Sequence, residues 1–149
     1  MKLKIKAVSP MIGREFPAPF FATAGSAAMD LCACIETPVV IPAGRRVGIP
    51  SGIAIALPSA EYVALVFARS SMGVKRGLAP ANKVGVIDSD YRGEIRVVLL
   101  NHGKQPQTIT HGERVAQMLI TPVLTPVYTE VEALDDTDRG QGGFGSTGK

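Results

Sequence analysis

Short apolar runs separated by turn-forming residues constrain the fold of this chain more than any other feature. Apolar or alternating stretches of a few residues recur along the 149-residue chain, and the intervening residues are rich in Gly and Pro (16 Gly and 11 Pro). Helical periodicity is almost absent. Many short strands with turns between them are typical of a β sandwich, a jelly roll or a barrel. We therefore predict an all-β domain.

The predicted strands share apolar or alternating character. They cover residues 3–7, 39–41, 46–49, 53–57, 62–67, 84–87, 95–100, 107–109, 116–120 and 127–131. One short helix is predicted over residues 70–75, opened by serines suited to capping.

The domain organisation follows from length and composition. Residues 1–131 are enough for a single β domain with its own core. Residues 132–138 form an acidic connector without periodicity, and residues 139–149 contain five glycines and cannot add to a core. A linker that is only solvated does not need an aromatic side chain, and this segment contains Phe144. The sequence therefore predicts a glycine-rich lid segment at this end.

Charge and hydropathy exclude several function classes. The net charge of +3 is mild, Trp is absent and aromatic residues make up 5%, which disfavours nucleic-acid binding but leaves a small polyanion as a partner. No apolar run approaches the roughly 20 residues that span a bilayer. The alternating N-terminus is unlike a secretory signal, so we expect a cytoplasmic protein without a membrane partner.

The two cysteines, Cys32 and Cys34, are two positions apart and would share one face of a strand. That spacing does not suit a disulfide, and neither histidine stands at metal-ligand spacing from them. We interpret both as small core residues in a reducing compartment.

A cluster of reactive groups occupies residues 85–93, between two apolar stretches. Asp88, Asp90, Tyr91 and Arg92 fall in a hairpin-like turn bounded by glycines. Turns are commonly polar, but few combine acids, a phenol and a guanidinium between segments that read as buried. Such a placement holds a binding or catalytic constellation on a rigid β scaffold.

A second cluster follows the strand predicted to end at Phe67. This cluster lies in the turn predicted to open the helix, where backbone N–H groups and an arginine favour an anion; its members are Arg69, Ser70, Ser71 and Gly73. A simple serine cap explains the same residues equally well.

Two further segments give weaker evidence for a functional site when each is taken alone. Arg114 and Gln117 flank a strand start after Gly112, which also suits an ordinary hairpin turn. Asp30 precedes a strand among small residues, where it would cap backbone amides.

Together, however, these segments resemble one known signature. In chain order they are residues 24–31, 68–73, 85–93, 112–117 and 139–148. This order and spacing resemble the five motifs of the homotrimeric dUTPase family, over nearly the whole chain. The resemblance implies a jelly-roll trimer with shared active sites that hydrolyses dUTP to dUMP and pyrophosphate, which limits uracil in DNA and supplies dUMP.

The resemblance also implies roles within residues 82–91. Asp88 looks like the general base that activates water for attack at the α-phosphorus. Tyr91 matches the residue that packs on the deoxyribose and excludes a 2′-hydroxyl. The residues that match the uracil-reading hairpin are Asn82, Gly85, Val86 and Ile87.

The remaining matched positions are expected at the triphosphate and the lid. The phosphate contacts would be Arg69, Ser70, Ser71, Gly73 and Gln117, and the lid would bring Arg139, Phe144, Gly145, Ser146 and Thr147. The residues expected to give structural support are Asp30, Asp90, Arg92 and Arg114. Mg²⁺ is expected as cofactor, held by phosphates and water rather than by protein ligands.

Two positions differ from the family pattern, and two alternative functions compete with the dUTPase interpretation. Ser71 stands where many relatives carry glycine, and Pro80-Ala81 precede Asn82 where an aliphatic residue is more usual. A dCTP deaminase-type enzyme is one rival, but it needs a catalytic glutamate where this chain has Asp88. The other is a nucleotide-sensing regulatory protein on the same fold, which the sequence leaves open.

Overall fold

The computed structural model describes residues 1–143, and nearly all regular structure in this part of the chain is β strand. The strands are β1 (Lys4–Ala7), β2 (Met29–Cys32), β3 (Val39–Ile41), β4 (Arg46–Pro50), β5 (Ile53–Ala56), β6 (Tyr62–Phe67), β7 (Leu78–Pro80), β8 (Gly85–Ile87), β9 (Arg96–Asn101), β10 (Gln107–Ile109) and β11 (Arg114–Pro122). A single helical turn, Ser71–Lys75, lies between β6 and β7.

The strands pair antiparallel in four groups, which confirms the predicted all-β jelly-roll class. The largest group has the order β2-β11-β6-β8, and a second has the order β4-β9-β7. The other two are the pairs β1-β5 and β3-β10. Neighbouring strands are often distant in sequence, so this topology gathers side chains from the whole chain around one core.

One apolar cluster fills the space between these groups. Strand β9 shows the pattern that builds it, since Val97 and Leu99 are buried while Arg96 and Val98 point outward. The largest fully buried apolar side chains are Leu31, Ile41, Ile49, Ile53, Leu78, Leu99, Ile109, Val115 and Met118. Each contributes about 1.5–3 kcal/mol relative to an exposed position. No helix among residues 1–143 is long and apolar enough to cross a membrane.

The sequence prediction missed strand β7 and misplaced the start of β2, which it expected only after Asp30. All four residues of β2 are buried, so it lacks the alternation that marks a half-buried strand. Strand β7 has only three residues and ends in Pro80. Asp30 lies within β2 rather than before a strand.

Two predicted features are wrong. Residues 127–131 form no strand, because this exposed segment pairs with no strand in the described part of its own chain. The helical turn does begin after Ser70, but the Ser70 side chain makes no capping hydrogen bond. Backbone bonds close the turn instead, the N–H of Gly73 donating to the carbonyl of Arg69 at 3.0 Å.

Candidate active site

One open cavity, of about 630 Å³, collects a first group of the predicted site residues. Those lining it are Asn82, Gly85, Val86, Ile87, Asp88 and Tyr91. A cavity of this size, with apolar walls and a few polar groups, suits a small organic ligand such as a nucleoside. The topology thus brings the hairpin residues together as the sequence predicts.

Strand β8 forms one wall of the cavity and is the outer strand of its sheet. It pairs with β6 alone in the described sheet, in the register Val66↔Gly85 and Ala64↔Ile87. A Cβ at Gly85 would lie 3.2 Å from the Cβ of Val66, so glycine lets the two backbones approach closely. The other edge of β8 therefore keeps backbone N–H and carbonyl groups for a ligand.

The turn after β8 is held by its own hydrogen bonds. The Tyr91 N–H donates to the Asp88 carbonyl at 3.2 Å. Arg92 Nη1 donates to the carbonyls of Ser89 and Tyr91 at 2.7 and 2.9 Å. Asp88 and Asp90 are exposed. A fixed turn carrying an exposed carboxylate presents that carboxylate to a ligand without reordering the chain.

The far end of the turn is tied to the start of β5. Glu94 Oε1 accepts a hydrogen bond from the Gly52 N–H at 2.9 Å. Beside it, the Ser51 hydroxyl donates to the Ile95 carbonyl at 2.6 Å, and both Ser51 and Ile95 are buried. The cavity wall is therefore anchored at both ends.

The turn that leads into β8 is strained. Lys83 adopts φ of 67°, a left-handed conformation that costs a non-glycine residue about 1–2 kcal/mol. Its N–H donates to the Pro80 carbonyl at 2.9 Å, and the turn exposes Asn82. Pro80 and Ala81 line the cavity, so the departure seen in the sequence falls on the cavity wall.

Sequence reasoning missed two arginines in the cavity lining, Arg46 on β4 and Arg96 on β9. The two strands pair in the register Arg46↔Leu100 and Pro50↔Arg96. Because only the sheet brings them to the cavity, no local sequence pattern indicates their position.

A second group of predicted residues lies around the buried carboxylate of Asp30. Arg69 Nε is 2.7 Å from its Oδ1, and Arg114 Nη1 is 3.1 Å from its Oδ2. Asp30 therefore bridges two arginines rather than capping backbone amides. Two guanidinium groups share one carboxylate, so the cluster keeps a net positive charge that favours a bound anion.

The helical turn Ser71–Lys75 projects from this second group. Ser70, Ser71 and Gly73 are exposed, whereas Met72 is buried and anchors the turn. Gln117 lies beside it on β11, with Nε2 donating to the Ala68 carbonyl at 3.0 Å. Exposed hydroxyls next to the arginine cluster form a polar surface suited to phosphate oxygens.

Arg76 fixes this turn to the rest of the fold and was not singled out from the sequence. Its Nε donates to Gln107 Oε1 at 3.0 Å, its Nη2 to the Thr108 carbonyl at 2.6 Å, and its Nη1 pairs with Glu113. The same Glu113 accepts the Thr110 N–H at 2.9 Å.

The two groups do not share the cavity. Its lining includes none of Arg69, Ser70, Ser71, Gly73 or Gln117. Arg139 is exposed, with Nε donating to the Gly142 carbonyl at 2.8 Å. The predicted lid residues Phe144, Gly145, Ser146 and Thr147 lie outside the described residues.

The protein offers no ready metal cage in residues 1–143, where no group of three or more His, Cys, Asp or Glu side chains lies close enough to hold an ion. The Asp30 carboxylate is already engaged by two arginines.

Comparison with known proteins identifies relatives of the whole chain. The family profile of the dUTPases matches residues 14–148. The deoxyuridine 5′-triphosphate nucleotidohydrolase of Hydrogenovibrio crunogenus is 46% identical over 149 residues, covering 99% of this chain and 97% of that protein. The protein of the same name from Acinetobacter baumannii is 42% identical, covering 100% and 99%.

A solved structure shows the same fold. The G164S mutant of the Staphylococcus bacteriophage 80alpha dUTPase with dUpNHpp superposes with a TM-score of 0.85 at 24% identity, covering 99% of both chains.

Proposed function

This chain belongs to the dUTPase family, and from that premise we propose that it hydrolyses dUTP to dUMP and pyrophosphate in the cytoplasm, limiting uracil in DNA. The family match and the similarity to named dUTP nucleotidohydrolases identify it as a dUTP diphosphatase. The observation that carries the proposal is the cavity in which Asp88, Tyr91 and the free edge of β8 meet. These are the groups needed to activate water, to sense a sugar and to bind a base.

In the proposed reaction Asp88 acts as general base. Its side chain is exposed, so the carboxylate is open to water and can accept a hydrogen bond from the attacking molecule. As the water oxygen bonds to the α-phosphorus, one water proton passes to the Asp88 carboxylate. The bond from the α-phosphorus to the bridging oxygen of the β-phosphate breaks, and its electron pair leaves with pyrophosphate.

Uracil would bind along β8. The base has one N–H donor between two carbonyl acceptors, which matches the alternating donors and acceptors of an unpaired strand edge. Gly85 and Ile87 lie in this strand, and Asn82 lines the cavity just before it, with Nδ2 3.8 Å from the position of a Cβ at Gly85. A cytosine would leave a buried polar group unpaired, and that penalty can reach a discrimination of about 10⁴-fold.

Tyr91 would exclude ribonucleotides by packing against the deoxyribose. Its hydroxyl donates to the Glu94 carbonyl at 3.1 Å, which holds the ring at the cavity wall. A ring fixed in this way leaves no space for a 2′-hydroxyl.

The triphosphate would bind to the second group of residues. The net positive charge of Arg69 and Arg114 around Asp30, with the exposed Ser70 and Ser71, supports this assignment. We propose that Mg²⁺ enters as the complex with dUTP, bound by phosphate oxygens and water, where it offsets charge and fixes the phosphate geometry. Arg139 and the lid residues would close over this complex.

We further propose a homotrimer in which the base cavity of one subunit faces the phosphate-binding group of another. Two observations support it. The cavity contains none of the second group within one chain. The segment after β11 also leaves large apolar side chains in water, with Leu124, Val127 and Tyr128 each more than 90% exposed. Exposure of this kind marks an association surface.

The experiment that tests the proposed function is a substrate panel. Purified protein with Mg²⁺ is offered dUTP, dTTP, UTP and dCTP, and pyrophosphate and ammonia are measured. We expect pyrophosphate from dUTP alone at an appreciable rate. Ammonia from dCTP would instead indicate a deaminase, and binding of dUTP without turnover would indicate a nucleotide sensor.

A further inference from the structure

Gly93 is the residue against which the Tyr91 ring packs. A Cβ built at Gly93 would lie 2.6 Å from Cζ of Tyr91 and 3.0 Å from its Cε2, and it would overlap the phenol oxygen. These separations are shorter than any ordinary carbon–carbon contact. The ring in its present position therefore requires the absence of a side chain at Gly93.

The backbone does not require glycine at this position. Gly93 is not among the glycines with a positive φ, so alanine could adopt its conformation. Glycine is therefore needed at this position because it leaves room for the Tyr91 ring, and not because the backbone adopts an unusual conformation. This distinguishes it from Gly52, whose φ of 72° is itself unfavourable for other residues.

A methyl group at Gly93 would displace the ring rather than the backbone. The turn is held by the two Arg92 hydrogen bonds and by Glu94, which is fixed to the Gly52 N–H. The Tyr91 ring, by contrast, is 47% exposed and has one hydrogen bond at its tip. It can swing outward at the cost of that bond.

We propose that Gly93 is a specificity-determining position, which by its lack of a side chain keeps the Tyr91 ring where it senses the sugar. This inference rests on the proposed function, and it adds one residue to those that determine selectivity for deoxyribose over ribose. Gly93 touches no substrate in this account and acts through Tyr91. Displacing the ring would open space for a 2′-hydroxyl and leave the general base Asp88 in place.

The test is a double-mutant cycle on sugar selectivity, the ratio of kcat/KM for UTP to that for dUTP. The variants are Gly93→Ala, Tyr91→Ala and the double variant, with Gly25→Ala as matched control because a Cβ there meets nothing within 4 Å. We expect Gly93→Ala to raise the ratio by about tenfold or more. Adding it to Tyr91→Ala should change nothing further, because the ring is already gone.

The outcomes separate this inference from the proposed function. An unchanged ratio in Gly93→Ala, or an equal effect of Gly93→Ala with and without the Tyr91 ring, would overturn the role of Gly93 and leave dUTP hydrolysis intact. A parent protein that does not hydrolyse dUTP would overturn the proposed function itself. If Gly93→Ala does not fold, folding of the double variant would support the proposed contact, and failure of both would refute it.

Discussion

The Asp30 carboxylate lies 2.7 Å from Nε of Arg69, so one ion pair joins the buried strand β2 to the segment that leaves β6. Arg114 on β11 approaches the same carboxylate at 3.1 Å. Three segments of the chain therefore meet at one buried negative charge.

Replacing Asp30 by Asn should destabilise the protein while keeping its shape. The two guanidinium groups would lose their counter-charge, and hydrogen bonds to charged groups contribute about 1.5–3 kcal/mol each. Since Arg114 is half exposed and screened by solvent, we expect a total loss of about 2–3 kcal/mol. Urea unfolding at fixed protein concentration measures it, with the exposed Asp135→Asn as control. Equal midpoints for the two variants would contradict the prediction.

Asp88→Asn should keep nucleotide binding and lose most hydrolysis. Asparagine is close in size but cannot accept the proton from the attacking water, so kcat should fall by about 10²–10⁴ while KM changes little. Asp90→Asn is the matched control, since it makes the same change in the same exposed turn. Hydrolysis by Asp88→Asn at the parent rate would show that another group is the base.

The sequence predicted much of this fold because strands with one buried face carry their own pattern. The bounds of β6 and β10 agree with the predicted segments residue for residue. The start of strand β2 was misplaced, because burial on both faces removes the alternation that would mark it. The segment 127–131 was predicted as a strand because its residues favour one, but a strand also needs a partner.

Only the part of the candidate site that is contiguous in sequence could be predicted from a local pattern. The residues of the hairpin are contiguous in sequence, so one local pattern revealed Asp88 and Tyr91 together. Arg46 and Arg96 reach the same cavity only through the pairing of β4 with β9. The contact of Gly93 with the Tyr91 ring is likewise a matter of side-chain packing, which a glycine in a turn motif does not reveal.

Both cysteines should react slowly with alkylating reagents in the native protein. They are buried and unpaired, and burial raises the pKa of the Cys32 thiol above its ordinary value of 9.0, with the Asp30 charge raising it further. The thiolate that would react is therefore scarce at about pH 8. Mass spectrometry after iodoacetamide, with and without denaturant, measures the two rates. Rapid labelling of the native protein would contradict the burial.

The raised pKa of Cys32 also has a consequence for stability. The folded state favours the neutral thiol, so its contribution is complete below the unfolded pKa of about 9 and is lost as pH rises through the folded pKa. The free energy of unfolding should therefore fall less steeply above about pH 9 in Cys32→Ala than in the parent. If the free energy of unfolding fell equally steeply with pH in the variant and the parent, Cys32 would be excluded as the cause.

Removing residues 139–149 should leave a folded protein with severely reduced turnover. Among residues 139–143, all but the half-buried Gly142 are exposed, and the Arg139 side chain bonds only to Gly142, so this part of the segment contributes nothing to the core. Loss of the lid should lower kcat, because water would no longer be excluded from the triphosphate. Circular dichroism and steady-state kinetics measure the two effects. Undiminished activity would show that the segment is an idle terminus.

Replacing Val127 and Tyr128 together by serine should weaken the proposed trimer. Both side chains are more than 90% exposed in the single chain, and burying such residues against a neighbour stabilises an assembly by about 1.5–3 kcal/mol each. Light scattering over a dilution series should show the variant dissociating at higher concentration than the parent. If the active sites are shared between subunits as proposed, dUTP hydrolysis should fall at the same concentrations. Val40→Ser, which alters another exposed valine, is the control. Unchanged assembly in the variant would exclude this segment as the contact between subunits.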